Sequence, residues 1–295
     1  MRYLWIVFLA LLSTCLISCI EEIQWDTEGF KELLVVDGDF TNEYKKHKIT
    51  LTKTADYFSG EKTPPVEGAN IYIKSEFEDI SFVELTDKPG VYETEDSVAG
   101  YPGMEYTLEI YLDEPINDEN YYTATEEMKA HIELDSIQAV LYDNPLYVDG
   151  NPHIDSLILN ISLFWKIPPV EDNYYRVQIT STDSLENNTI NDYSIYRGGG
   201  DFDDARVSNV YFFKNFQPGD TIVFETCSVT REYYEFLDGL KEITNQEDDQ
   251  FFDMSGPPAN AVGNIEGAEA LGYFRVSSVT RESTVVKDGR GTDTD

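Results

Sequence analysis

The residues with the most legible chemistry lie near the amino end, in Leu16-Ile17-Ser18-Cys19-Ile20-Glu21-Glu22. A leucine three places before a cysteine, with a small serine directly before it, forms a lipobox. Cleavage between Ser18 and Cys19 would leave a thiol to be acylated, for instance by palmitate, and an amine to take a further acyl chain. Arg2 supplies a positive start, and Leu4 to Ile17 is an almost unbroken apolar run of about 14 residues. That is the layout of a secretory signal peptide. A membrane-spanning helix needs roughly 20 residues, so the run suits export and anchoring better than spanning. Cys15 is a second candidate, but Thr14 is a poorer residue before a cleavage point than Ser18. The plainer alternative is an ordinary signal peptide in which both cysteines are incidental. Each buried methylene adds roughly 0.8 kcal/mol to membrane binding, so two or three acyl chains hold a protein firmly where one does not.

Elsewhere the reactive residue types are sparse. Beyond the export segment the only cysteine is Cys227, so no intrachain disulfide is expected after processing. It sits in the apolar-rich run Thr221 to Val229, which points to a buried structural thiol rather than a nucleophile. His47, His131 and His153 are scattered, and none has a partner at metal-ligand spacing. Gly198-Gly199-Gly200 is not a phosphate loop, because no Gly-Lys-Ser/Thr follows and Asp201, Asp203 and Asp204 would repel a phosphate. The stretch reads as a flexible bend; the alternative is a carboxylate cluster taking Ca²⁺ through oxygen ligands, although no complete EF-hand loop is present. No Gly-x-Ser-x-Gly or His-Glu-x-x-His occurs, so no enzyme activity and no catalytic residue is expected.

The chain has 295 residues, with 21 Lys and Arg against 56 Asp and Glu, a formal net charge of −35. Loss of residues 1–18 would remove Arg2 and no acid. Such a surface repels nucleic acid and anionic lipid heads, which excludes a nucleic-acid partner. The bland reading of the acidity is solubility at a crowded cell surface; the sharper one is divalent-cation binding. A hydrophobic content of 41% is that of a globular chain rather than an acidic disordered tail. The length suggests two domains.

The elements that must carry these residues read mostly as strands. Leu33 to Phe40 is a strand entering a turn, and Ile49 and Leu51 alternate with Thr50 and Thr52. Ile71 and Ile73 share one face of a strand, and Ile80, Phe82 and Leu85 suggest another with an irregularity at Val83. Turns at Lys88-Pro89-Gly90 and Gly100 to Met104 separate these from the alternating Tyr106, Leu108 and Ile110. Asn117 to Asn120 reads as a hairpin loop before Tyr121 to Thr125. Short strands, frequent turns and no helical period predict an immunoglobulin-like β-sandwich over residues 33–131.

Several of these segments, in this order, resemble the uncharacterised lipoproteins of domain-of-unknown-function family 4249. They are Leu34-Val35-Val36-Asp37-Gly38, Pro65 to Ile71, Pro89-Gly90-Val91-Tyr92, Gly103 to Leu108 and Asp135-Ser136-Ile137. Gly263-Asn264-Ile265-Glu266-Gly267 and Leu271-Gly272-Tyr273-Phe274 resemble its carboxy-terminal signature. The resemblance implies an outer-membrane lipoprotein, often encoded beside a TonB-dependent transporter, and carries no catalytic residues. In similar lipoproteins, acidic residues just after the acylated cysteine signal display on the outside. Glu21 and Glu22 are therefore an expected export signal, the alternative being that they are two acids among many.

The second half begins near Glu133. Leu157, Leu159, Ile161, Leu163 and Trp165 occupy every second position, with Ser156, Asn160 and Ser162 falling between them, in the clearest strand of the chain, closed by Pro168-Pro169. Tyr175, Val177 and Ile179 follow in a fibronectin-like order, with Trp165 expected in the core. Residues 183–204 read as a polar excursion. After Thr230 the period becomes helical: Tyr233, Phe236, Leu237, Leu240 and Thr244 share a face, and Thr230 suits the N-cap. The last strand is predicted over Gly272 to Val279. The full expectation is an all-β architecture of two tandem sandwiches: a signal peptide at 1–18, an acidic tether at 19–32, sandwiches at 33–131 and 132–286, and a flexible tail at 287–295. One α-helix, near 231–244, packs on the second sandwich. The expected role is a non-catalytic accessory or binding protein of a TonB-dependent uptake system, facing the cell exterior. An adhesin and an extracellular hydrolase are the alternatives.

Overall fold

Alternation is the force that shapes this chain, because a strand with apolar residues at every second position can bury one face and solvate the other. The computed structural model describes residues 31–55, 63–148, 151–165, 173–181, 193–198, 207–212, 216–245 and 261–290. Among them the fold is mainly β with one helix, as the periodicity predicts.

The first group of strands is β1 (Leu34–Thr41), β2 (Lys48–Lys53), β3 (Asn70–Lys74), β4 (Asp79–Glu84), β5 (Val91–Thr94), β6 (Glu105–Ile116) and β7 (Glu119–Glu127). Their hydrogen-bonded order is β1-β2-β5-β4-β3-β6-β7. Leu34, Val36 and Phe40 of β1, Ile49 and Leu51 of β2, and Tyr92 of β5 pack into one core with Ile71, Ile73, Leu108, Ile110, Tyr122 and Ala124 from β3, β6 and β7. Burying each such side chain contributes roughly 1.5–3 kcal/mol. In β4 the alternation is regular: Ile80 and Phe82 are buried and Val83 is exposed, without the irregularity expected there. The β6–β7 loop is only Asn117 and Asp118, both at positive φ (55° and 64°). Asn and Asp tolerate this conformation, and a pair of such residues matches the twist of a hairpin.

The second group begins with the long hairpin of β8 (Leu134–Val148) and β9 (Asn151–Trp165). It continues with β10 (Tyr174–Ser181), β11 (Tyr193–Arg197), β12 (Val207–Phe212) and β13 (Thr221–Val229). Helix α1 (Arg231–Asn245) and β14 (Ala270–Asp288) close the described chain. Leu159, Ile161, Leu163 and Trp165 are all buried in a second core, with Tyr175, Val177, Ile179, Ile222 and Phe224. β11 lies inside the stretch expected to be a polar excursion. Its five residues lack clean alternation, and it forms because β10 offers a free edge for antiparallel pairing.

β14 is the element common to both groups. It pairs parallel with β1 from Leu34↔Ala270 to Thr41↔Ser277, and antiparallel with β13 from Ser228↔Ser278 to Thr221↔Val285. It places Phe274 and Val276 in the first core and Val286 in the second. The strand is far longer than the predicted Gly272 to Val279. Thr280 to Thr284 carry no apolar pattern, but a ladder needs only backbone groups, and β13 supplies them. Lys287 and Asp288, assigned to the tail from sequence, pair with Val140 and Leu141 of β8.

Candidate functional site

Where β14 passes under α1, ionisable side chains gather. Thr230 Oγ1 accepts the Tyr233 N–H at 3.3 Å, the N-cap bond that starts the helix. The helix then lays Tyr233 and Phe236 on Tyr273, at ring separations of 4.9 and 5.0 Å, and Tyr234 on Tyr174 at 5.0 Å. Beneath Tyr233, Arg275 pairs with Asp39, its register neighbour on β1, through Nε at 3.0 Å. Burial alone would raise the Asp39 pKa, but the charge and hydrogen bond of Arg275 outweigh it and hold the group low.

Cys227 lies between two guanidinium groups, Arg275 and Arg176, each with a nitrogen 3.9 Å from Sγ. Its thiol donates to Glu225 Oε1 at 3.5 Å. Burial pushes this thiol up to about 11 despite the nearby arginines. A thiol so buried and so seldom ionised is a poor nucleophile. Arg176 also covers the ring of Tyr193 at 4.9 Å, and Lys241 of α1 lies at the same distance from that ring. Glu225 receives Arg281 as well, at 2.8 Å. These pairs tie β1, β10, β11, β13, β14 and α1 together.

A second polar cluster surrounds Glu126 on β7. Only 6% of this residue is exposed, yet it carries a carboxyl group. Thr230 and Tyr273 donate their hydroxyls to it, and Asn264 Nδ2 donates to Oε2 at 3.2 Å. Burial pushes the carboxyl up to about 7, while these three hydrogen bonds draw it part of the way back. The inward register of β7, Tyr122-x-Ala124-x-Glu126-x-Met128, was the sequence signal for this group: an acid where the pattern calls for an apolar residue.

The outer face of β3, β6 and β7 carries a third arrangement. Tyr72, Tyr111 and Tyr121 stand on the solvent side, 36%, 41% and 36% exposed. The rings of Tyr72 and Tyr111 are 6.5 Å apart, and those of Tyr111 and Tyr121 are 4.9 Å apart. Tyr111 and Tyr121 are direct cross-strand partners, and Tyr72 sits opposite Glu109. Glu109 accepts from Lys74 at 2.7 Å and from the Tyr111 hydroxyl at 3.1 Å. Each tyrosine occupies an outward position of its strand; which strands are neighbours was not visible in the periodicity.

Of the residues singled out from sequence, Cys19, Glu21, Glu22, Asp201, Asp203 and Asp204 lie outside the described residues. Among the described residues no group of three metal-ligating side chains comes together. His47 is buried, with Nε2 3.0 Å from the Val98 carbonyl, and His131 is exposed. Trp165 is in the core. No described helix is long and apolar enough to cross a membrane.

The sequence matches a family described as Domain of unknown function (DUF4249), over residues 20–283. No match was found among curated proteins. Among solved structures, one similar chain belongs to work titled "Structural insight into host cell surface retention of a 1.5-MDa bacterial ice-binding adhesin". It is 10% identical with a TM-score of 0.19, over 88% of this chain and 66% of that one. Another is a biofilm-associated protein B domain, 9% identical with a TM-score of 0.12, over 85% of each chain. Likenesses this slight carry no argument about fold or role.

Proposed function

We infer that this chain, which belongs to the DUF4249 family, is a lipid-anchored, non-catalytic binding or accessory protein of the outer membrane. In this reading it faces the cell exterior and serves a TonB-dependent nutrient transporter. The observation that carries the anchoring is the lipobox: Leu16 and Ser18 at the right places before Cys19, directly after an apolar run. Cys19 precedes the first strand, at Leu34, by a short tether. An extended chain advances at most about 3.6 Å per residue, so such a tether reaches roughly 50 Å and keeps the folded body close to the membrane. The non-catalytic reading is supported by how the reactive groups are used: the thiol of Cys227 is buried among arginines, and Glu126 is enclosed by three donors.

Metabolic labelling with a fatty-acid analogue tests the anchor. The native protein should take the label and sediment with membranes, and Cys19→Ala should lose both properties. An unlabelled native protein would sink the reading. Glu21→Ala with Glu22→Ala should keep the label but become protected from added protease in intact cells. Digestion as ready as that of the parent would remove these residues from the export signal. Affinity purification from solubilised membranes should bring down a TonB-dependent transporter. An eluate without one, alongside normal acylation, would leave the anchor standing and remove the transport role.

A further inference from the structure

Three tyrosines in ring contact on one exposed sheet face differ from tyrosines scattered singly over a surface. Isolated exposed aromatics are ordinary, whereas a contiguous patch marks an interaction site. The patch is held rigidly. Its outer strand, β7, is bordered by Glu266, whose N–H and carbonyl pair with Thr123 at 2.7 and 2.9 Å. Thr123 Oγ1 donates to the Leu108 carbonyl at 2.8 Å, and the hydroxyls of Thr107 and Thr125 meet at 3.0 Å across β6 and β7. The result is a contiguous strip of aromatic rings, with Tyr121 tilted 38° and Tyr72 turned 69° relative to Tyr111, bordered by hydroxyl, carboxylate and ammonium groups.

Charge selects the guest. The chain carries a formal charge of −35, which disfavours an anionic ligand. Lys74, the cation beside the rings, is already engaged by Glu109 at 2.7 Å. Glu109 is in turn occupied by Lys74 and Tyr111, so a cationic guest would have to displace an ion pair already made. The centre of the face is therefore close to neutral within an acidic surface. Rings that offer apolar faces, with hydrogen-bonding groups at their rims, match a guest that is neutral, ring-shaped, and apolar on its faces but hydroxylated at its edges. That description fits the pyranose rings of a polysaccharide.

We propose that the outer face of β3, β6 and β7 is a binding platform for a neutral polysaccharide, with Tyr111 and Tyr121 meeting sugar-ring faces and Tyr72, turned across them, bounding the strip. Glu109, Lys74 and Thr123 lie within the same rows and meet the sugar hydroxyls. The proposal adds a ligand class to the accessory role and rests on that role only for where the ligand would be met. Binding in solution tests the face alone, whatever the anchor or the transporter.

The test is affinity electrophoresis of the purified full-length protein in neutral detergent. Native gels are cast with soluble starch, hydroxyethyl cellulose, galactomannan or the anionic polygalacturonate. The protein should be retarded by at least one of the three neutral polymers and not by polygalacturonate. Tyr111→Ala and Tyr121→Ala should each weaken that retardation about tenfold, the equivalent of one stacking contact. Tyr111→Phe, which keeps the ring, should stay within about threefold of the parent. Retardation by none of the neutral polymers, by polygalacturonate alone, or to the same extent in the alanine variants would overturn the proposal. Unfolding midpoints of the variants should match the parent. If Tyr111→Ala failed to fold, Tyr121→Ala and Tyr72→Ala would carry the same comparison.

Discussion

The side-chain amide of Asn264 pairs with the main chain of Phe274 as a neighbouring strand would. Its Nδ2 donates to the Phe274 carbonyl and its Oδ1 accepts the Phe274 N–H, each at 2.9 Å. The same Nδ2 reaches Glu126, so one amide joins β14 to β7. The flanking glycines make room for it. A Cβ on Gly263 would lie 1.8 Å from the Gly272 carbonyl oxygen, and one on Gly267 2.8 Å from that of Tyr121. The carboxy-terminal signature thus has an architectural role: it binds the long strand to the first core. Asn264→Ala should cost about 1–3 kcal/mol, the penalty of leaving partly buried partners unmet, read as a lower midpoint in urea. A midpoint within experimental scatter of the parent would show that water replaces the amide without loss.

Glu126 should make stability depend on pH in a direction opposite to that of a salt-bridged acid. Its carboxyl is raised to about 7 in the fold, by burial first, against roughly 4.3 in an unfolded chain. Between those values the folded state binds more protons than the unfolded one, so stability falls as pH rises. The contribution is full below about pH 4, is lost progressively up to about pH 7, and is flat beyond. Glu126→Gln should remove a difference on the order of 3 kcal/mol across that window, seen by comparing thermal midpoints of variant and parent at several pH values. Parallel pH profiles would refute the assignment.

Cys227 should resist alkylation in the native protein at pH 8 and react once urea unfolds the chain. Its thiol is buried and pushed up to about 11, which leaves little thiolate and no access. Peptide mapping of iodoacetamide-treated protein reads the site directly. Cys227→Ala should keep the fold at a modest packing cost, and Cys227→Ser should cost somewhat more, because the site is fully buried and guanidinium nitrogens 3.9 Å from Sγ are beyond hydrogen-bond reach of the shorter serine hydroxyl. A serine variant more stable than the alanine variant would show that Arg176, Arg275 or Glu225 moves in to meet the hydroxyl.

Residues 33–131 made alone should lack cooperative unfolding. They omit β14, which covers the β1 edge along eight register pairs and supplies Phe274 and Val276 to the first core. Losing two large buried side chains costs several kcal/mol, at roughly 1.5–3 kcal/mol each, and that is comparable with the whole stability of a small domain. A urea titration of the fragment beside the full chain decides it. A sharp transition in the fragment would show that the first core closes without β14.

Gly272→Ala should be the most damaging of the single changes. Its φ is +89°, and a Cβ there would lie 1.9 Å from the Val36 carbonyl oxygen, a backbone atom with no side-chain freedom to yield. Such a clash combines left-handed strain with displacement of the β1–β14 ladder. Expression yield of soluble protein, with Gly219→Ala as a control in open space, measures it. Equal yields would contradict this geometry.

Local patterns were legible wherever one strand or helix decides its own faces. Leu159 to Trp165 in alternation, Tyr233 with Phe236 and Leu237 after Thr230, and a hairpin loop within Asn117 to Asn120 could be read directly, because periodicity and turn chemistry act within a few residues; the structure narrows that loop to Asn117 and Asp118. Cys19 and its neighbours are likewise a linear signal. What the order of residues could not express was partnership between distant segments. β11 and the polar half of β14 exist because β10 and β13 offer them backbone partners, and no side-chain pattern marks that. Glu126 meets Thr230 and Tyr273 across gaps of 104 and 147 positions, and its raised pKa arises only when those elements exclude water around it. Tyr72, Tyr111 and Tyr121 are three outward residues in the sequence. They become one surface only because β3, β6 and β7 lie side by side in one register, and register is a property of the folded sheet.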